Sequence, residues 1–184
     1  MIKRCDWANH SPQEIYYHDN EWGIPVHDDN KLFEMLILES MQAGLSWSTI
    51  LSKRETLKEA YDNFDYKIIA TYDDNKYHEL LNNPGIIRNK LKIKSVITNA
   101  HAFMEIQESF GSFDQYIWNF VDGTTINNSW NSIDEVPAKS DLSIQISQDL
   151  KKRGFKFLGP TTVYAFMQAT GLVNDHMNYC FKKK

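Results

Sequence analysis

The chain has little cysteine: Cys5 and Cys180 are the only two in 184 residues, and they stand at opposite ends. A disulfide scaffold is therefore excluded. A single long-loop disulfide would need an oxidising compartment. The opening residues "MIKRCDWANH" lack the apolar segment of a secretory leader. There is also no uninterrupted apolar run of about 18 residues, so no membrane span is expected. The net charge of −4 lacks the positive excess of a protein that coats nucleic acid without selectivity. No internal repeat and no sustained strand alternation is present. These absences leave a cytoplasmic protein that is mainly α, with metal binding or catalysis as the competing uses for its cysteines.

An apolar content of 42% supports a substantial core. The length suits one domain, residues 1–184, with room for two helical lobes. Asp29 or Asn30 is placed to cap a helix carrying Leu32, Phe33, Leu36 and Ile37, which stops near Gly44. Ser46 is placed to cap the next helix, and Asp73 or Asp74 a short one that ends at "NNPG". A longer helix is expected from Ile87 to Ile106, and another over "SFDQYIWNFV". Residues 122–137 are polar and irregular and read as a surface loop.

Residues 142–171 have the grammar of two helices joined by a tight turn. The first ends at Gly154, Gly159 and Pro160 start the second, and Gly171 stops it. A helix N-terminus at such a turn offers free N–H groups to a phosphate, and Lys151, Lys152, Arg153 and Lys156 stand nearby. An ordinary helical hairpin reads the same way. The cations in "IIRNKLKIK" and "FKKK" are either part of a basic stripe or a solvated face.

Trp7, Tyr16, Tyr17, Trp22 and Trp47 crowd the first fifty residues, as core or as a slot for a flat ligand. Glu39 follows the apolar run "LFEMLIL", so its carboxylate needs a partner. Either the protein supplies one, or a flat cationic ligand does, since aromatic faces and a carboxylate both attract positive charge. In "DHMNYC", His176 and Cys180 would share a face if the segment were helical, which makes half a metal site.

The stretches "YYHDNEWGIPVHDDNKLFEMLILESMQAGLSWSTIL", "GIIRNKLKI" and "KKRGFKFLGPTTVYAFMQATGLVNDH", with Cys5, closely resemble the 3-methyladenine DNA glycosylase I family over residues 4 to 180. The resemblance implies an all-α helix-hairpin-helix DNA glycosylase fold. It implies one structural zinc held by Cys5, His18, His176 and Cys180, joining the chain's two ends. It implies hydrolysis of the N-glycosidic bond of N3-methyladenine flipped from alkylated double-stranded DNA, with free 3-methyladenine as product and a monomer as the acting unit. Glu39 would be catalytic and bind the base, with Tyr17, Trp47, Trp7 and Trp22 around it. Gln42, Gly44 and Leu45 would enter the gap left in the duplex, and Gly154, Lys156, Gly159 and Thr161 would hold the DNA backbone.

Two positions depart from what relatives have. A second pocket tyrosine aligns with Glu14, with Tyr16 nearby but out of register. Where many helix-hairpin-helix glycosylases place a catalytic aspartate, "LVNDH" puts Asn174, with Asp175 adjacent and given no role. No lysine nucleophile is evident, so a monofunctional enzyme is expected. A DNA-binding module without catalysis and a zinc-stapled protein scaffold are the other readings. The first is disfavoured by Glu39 among aromatics, the second by the cationic hairpin.

Overall fold

Ten consecutive residues, 32–41, are buried in the computed structural model, which describes residues 1–184. A helix buried on every side belongs at the centre of its fold. This helix, α2 (Asp29–Met41), packs against α3 (Trp47–Ala60), α6 (Lys90–Phe110), α7 (Phe113–Asn119) and α9 (Pro160–Ala169). Around them lie α1 (Pro12–Asn20), α4 (Tyr66–Ile69), α5 (Asp74–Leu81) and α8 (Asp141–Lys152). The buried apolar side chains form one contiguous cluster that reaches from Cys5 to Cys180. No helix is long and apolar enough to cross a membrane.

Side-chain caps set the helix starts. Ser46, Asp73, Ser112 and Ser140 each accept an N–H from the first turn that follows. Asp28, not Asp29 or Asn30, caps α2, accepting the Lys31 N–H at 3.0 Å. Asp29 works between helices instead. It accepts the N–H groups of Phe113 at 3.0 Å and Asp114 at 2.8 Å, tying the start of α7 to α2. The long helix α6 begins at Lys90, three residues later than Ile87, because Asn89 caps it through the Lys92 N–H at 3.1 Å. It continues past Ile106 to Phe110, where Gly111 turns the chain at φ +88°.

Two stretches hold more than their local pattern tells. The segment 122–137 lies at the surface and is largely irregular, as expected, but it is also tethered: Ile126–Asn127 (β1) pairs in parallel with Val173–Asn174 (β2). Two-residue strands are too short to leave an alternation in sequence. The "DHMNYC" segment is not helical; it follows β2 and turns, with the Cys180 N–H on the Met177 carbonyl at 2.9 Å.

The turn between α8 and α9 follows its glycines. Gly154 sits at φ +97°, which an L side chain rarely adopts, and Pro160 occupies the first turn of α9. Asn99 of α6 grips the turn from outside. Its Oδ1 accepts the Lys156 N–H at 2.8 Å, and its Nδ2 donates to the Lys156 carbonyl at 3.0 Å. Ser147 Oγ donates to the Leu158 carbonyl at 2.7 Å. Asn99→Ala removes two part-buried hydrogen bonds at once and should cost about 1–3 kcal/mol in urea unfolding. A loss below about 0.5 kcal/mol would show that the turn holds without this clamp.

Candidate functional site

Two glutamates lie five residues apart on α2, and both are buried. Glu34 is paired: Arg54 Nε reaches its carboxylate at 3.0 Å, and Arg54 also holds Glu21 at 2.6 Å. Glu39 is only 5% exposed, and no hydrogen bond or ion pair from the chain acts on its carboxyl. Burial alone pushes it up to about 8, which favours the neutral carboxyl over the carboxylate.

Glu39 faces a cavity of about 430 Å³. Gln42 lines it, and so do Trp7, Tyr17, Trp22 and Trp47, which with Glu39 make up the five base-binding residues expected from the sequence. Their rings form a continuous wall, with centroid separations of 5.1 Å for Trp7–Trp22, 6.3 Å for Trp7–Tyr17 and 5.3 Å for Tyr17–Trp47. The Tyr17 hydroxyl and Trp47 Nε1 are buried with no hydrogen-bond partner. Burial, then the charge of Glu39, raises the Tyr17 phenol well above its ordinary value, so it stays a neutral donor. A cavity walled by ring faces, an unpaired carboxyl and two unpaired donors is built for a flat ligand carrying polar edges. Glu14 also lines it, whereas Tyr16 is 65% exposed and lies outside.

Gly44 and Leu45 lie on the exposed turn that follows α2, with Gly44 at φ +77° and Leu45 holding an apolar side chain in solvent. Sequence reasoning missed what fixes this turn. Lys92 is buried, and its Nζ donates to the carbonyls of Met41 and Ala43, each at 2.8 Å. It is therefore no part of a surface stripe, although "IIRNKLKIK" reads as one. The ammonium satisfies carbonyls that the end of α2 leaves unpaired. Gly154, Lys156 and Gly159, on the α8–α9 turn, and Thr161, in the first turn of α9, are apart from the cavity. There Gly159 brings no side-chain cap to α9, so the first N–H groups of the helix stay open. Lys151, Lys152 and Lys156 are exposed beside them. Arg153 is not free: it bonds Asp149 at 2.8 Å and lies over the Phe110 ring at 4.9 Å.

Asp175 also touches the cavity, and it is saturated. Its carboxylate accepts Asn128 Nδ2 at 2.7 Å, Trp130 Nε1 at 2.9 Å, the Tyr164 hydroxyl at 2.5 Å and Gln168 Nε2 at 2.9 Å. These bonds tie the 122–137 segment to α9, and the same segment brings Ile133 and Val136 to the cavity rim. Asn174 is engaged as well, accepting the His176 N–H and donating to Asn127. Neither residue is free to act as a base. A loop distant in sequence hides this role; the only local signal is Asp175 beside His176.

Cys5, His18, His176 and Cys180 come together, all buried, with their ligand atoms within 4.8 Å of one another. The Sγ to ring-nitrogen separations are 3.5 Å (Cys180–His18), 3.6 Å (Cys180–His176) and 3.7 Å (Cys5–His176). A tetrahedral zinc, with bonds of about 2.3 Å to sulfur and about 2.0–2.1 Å to nitrogen, sets such edges near 3.6 Å. Both rings are oriented through their other nitrogen, His18 Nδ1 on Asp19 at 2.8 Å and His176 Nε2 on the Trp22 carbonyl at 3.1 Å. Burial lowers both imidazoles, which keeps them neutral as metal ligands must be. Burial raises the Cys5 thiol to about 12, and the Met177 N–H, 3.4 Å from its sulfur, works against that rise, as the Lys182 N–H at 3.4 Å does for Cys180; a bound metal would supply the remaining drive to thiolate. The four residues thus fit a closed metal site.

The methyladenine glycosylase family profile matches residues 7–183. DNA-3-methyladenine glycosylase 1 of Escherichia coli is 42% identical over 179 residues, 97% of this chain and 96% of that protein. The DNA-3-methyladenine glycosylase of Haemophilus influenzae is 44% identical over 180 residues, 98% of this chain and 97% of that one. A solved structure of a tyrosine-to-phenylalanine variant of 3-methyladenine DNA glycosylase I, in complex with 3-methyladenine, superposes with a TM-score of 0.96 at 34% identity, covering 100% of this chain and 98% of that one.

The buried Glu39 has a measurable signature. Its folded value of about 8 lies above the ordinary 4.5, so its contribution to stability is complete below pH 4.5 and is lost as pH rises to about 8. Glu39→Gln should therefore gain stability over the wild type across that window, by at most a few kcal/mol at about 1.4 kcal/mol per unit, and level off above it. Parallel melting curves for the two proteins from pH 5 to 9 would count against a buried, unpaired carboxyl.

Proposed function

The chain belongs to the methyladenine glycosylase family, and from that premise we propose that it hydrolyses the N-glycosidic bond of N3-methyladenine in alkylated double-stranded DNA, the first step of base excision repair. One observation carries the reading: Glu39 lines an aromatic cavity without a partner of its own.

N3-methylation makes the base a cation. Once flipped, such a ring finds the faces of Trp47 and Tyr17, Trp7 and Trp22 beyond them, and the Glu39 carboxyl. Positive charge arriving in the cavity reverses the penalty that burial places on the carboxylate, so Glu39 gives up its proton and becomes the counter-charge. Neutral adenine offers no such exchange. The lesion's glycosidic bond is already labile because the base departs as a neutral molecule. Catalysis then rests on capture and orientation, and water attacks the sugar. No lysine lines the cavity, and the nearby Lys92 ammonium is spent on two carbonyls, which supports hydrolysis without a covalent enzyme–DNA intermediate.

Gln42, Ser46 and Trp47 line the cavity, and the exposed turn between them through Gly44 and Leu45 would bring an apolar side chain to the space a flipped base leaves. The open start of α9, with Thr161, and the turn through Gly154, Lys156 and Gly159 would hold a phosphate backbone. We assign Cys5, His18, His176 and Cys180 as the ligands of one structural zinc. When bound, it supplies a cross-link between the chain's ends, and the four protein ligands leave it no open position for chemistry. A single chain supplies every group named.

Incubation with methylated DNA should release 3-methyladenine, seen by chromatography, and leave the strand uncut. Duplex binding without release would favour a binding module. Glu39→Gln should slow single-turnover release by roughly 10- to 100-fold, the scale of a hydrogen bond to a charged group. Unchanged rate and affinity would remove Glu39 from its role. Metal analysis should find about one zinc per chain. Cys180→Ser should lower Tm while the fraction that folds keeps its base release; full stability with lost release would make the cluster catalytic.

A further inference from the structure

Glu14 is a second buried carboxylate in the same cavity, and the chemistry described so far does not use it. It stands at the third position of α1, three residues after Ser11, where a glutamate ordinarily completes a capping box by accepting the N–H of the cap residue. Half of that box is present: Ser11 Oγ accepts the Glu14 N–H at 3.1 Å. The other half is not, since the Glu14 side chain leaves the Ser11 N–H alone. Its Oε2 is buried with no hydrogen-bond partner, as are two other cavity-lining atoms, the Tyr17 hydroxyl and Trp47 Nε1. Tyr17 follows Glu14 by three residues on the same helix face, while Tyr16 points to solvent. Glu34 and Glu21 meet Arg54, but no arginine or lysine of the chain lies within reach of Glu14.

A carboxylate that declines its local partner and faces a ring-walled cavity is waiting for a donor from outside. We infer that Glu14 is a second base-binding carboxylate, which together with Glu39 selects a positively charged purine presenting N–H edges over its neutral counterpart. This rests on the glycosylase reading above and adds to it a residue that sets specificity. A second carboxyl facing the ring adds to the preference for a cation, because a buried carboxylate finds a counter-charge only when the ring is positive.

The test uses two free probes: 3,9-dimethyladeninium, whose positive charge is fixed, and neutral 9-methyladenine. Wild type, Glu14→Gln and Glu14→Leu are titrated with each, following tryptophan fluorescence, and each protein's Tm is recorded. Both variants should bind the cation roughly tenfold more weakly or worse, the scale of one charge-assisted hydrogen bond. Binding of the neutral probe should change by less than about threefold, and Tm should hold or rise, since an unpartnered carboxylate has been removed. A preference for the cation that does not change in the variants overturns the inference, whether both affinities fall together or neither moves. So does a wild type that fails to bind the cation. Loss of folding in both variants overturns it as well, by making Glu14 part of the scaffold. Release of 3-methyladenine from methylated DNA by the wild type is measured alongside. Its absence defeats the glycosylase reading itself, whereas release with an unchanged cation preference defeats only the role of Glu14.

Discussion

The structure turns on the burial of α2. A helix with no solvent-facing side must have every polar group along it answered from neighbouring elements. Arg54 answers Glu34, the N–H groups that open α7 answer Asp29, and Lys92 answers the carbonyls at the C-terminal end. Glu39 alone receives no answer from within the chain. The unmet demand lies one turn from the end that Lys92 fixes, so the carboxyl and the exposed turn carrying Leu45 are held in one register. A ligand in the cavity and an apolar side chain beside its mouth are therefore placed by the same few residues.

The cluster at the chain's ends reinforces that arrangement. Trp22 belongs to both centres: its ring lines the cavity, and its carbonyl receives His176 Nε2. Its ring also meets His176 edge-on at 4.7 Å. Close backbone approach is needed to bring these parts together. Gly23 adopts φ +80°, and a Cβ there would lie 2.9 Å from His176 Nε2. Gly171, at φ +78°, leaves no room either, since a Cβ would lie 2.5 Å from the backbone nitrogen of Pro25. The segments around residues 23 and 171 are thus pressed together, and the residues that gather four metal-type ligands also stiffen the cavity wall.

The sequence carried the local physics well and the long-range physics poorly. Caps at Ser46 and Asp73, the glycine-bounded turn before Pro160 and the burial of Glu39 follow from spacing within one helix, and all are readable from a short window. Asp28 and Asp29 are adjacent and chemically alike, so only the tertiary bonds from Asp29 to α7 decide which one caps α2. Lys92 reads as a surface cation because its partners, the carbonyls of Met41 and Ala43, leave no mark on side-chain pattern. The 122–137 segment reads as a loop because its two paired residues are too few for alternation, and its anchor Asp175 lies almost fifty residues away. His176 and Cys180 meet through a turn, although their spacing of four suggests a helix. The gathering of these two with Cys5 and His18 came from family resemblance, not from any periodicity.

The occupancy of "LVNDH" bears on how little the chemistry asks of the protein at the sugar. Asp175 has both oxygens committed to four donors, and Asn174 is bound on each side of its amide. A carboxylate in that state gains nothing by leaving its donors to activate water. The free carboxyls are instead those facing the cavity, where a base would sit, and the protein's unspent electrostatics are directed at the leaving group. That distribution suits a reaction whose leaving group arrives already charged. A neutral base would need a stronger push at the sugar, and Asp175, bound to its four donors, does not supply one. On the proposed reading, selectivity and catalysis have one physical origin: a ring-walled cavity whose buried Glu39 becomes a carboxylate only when a cation fills it.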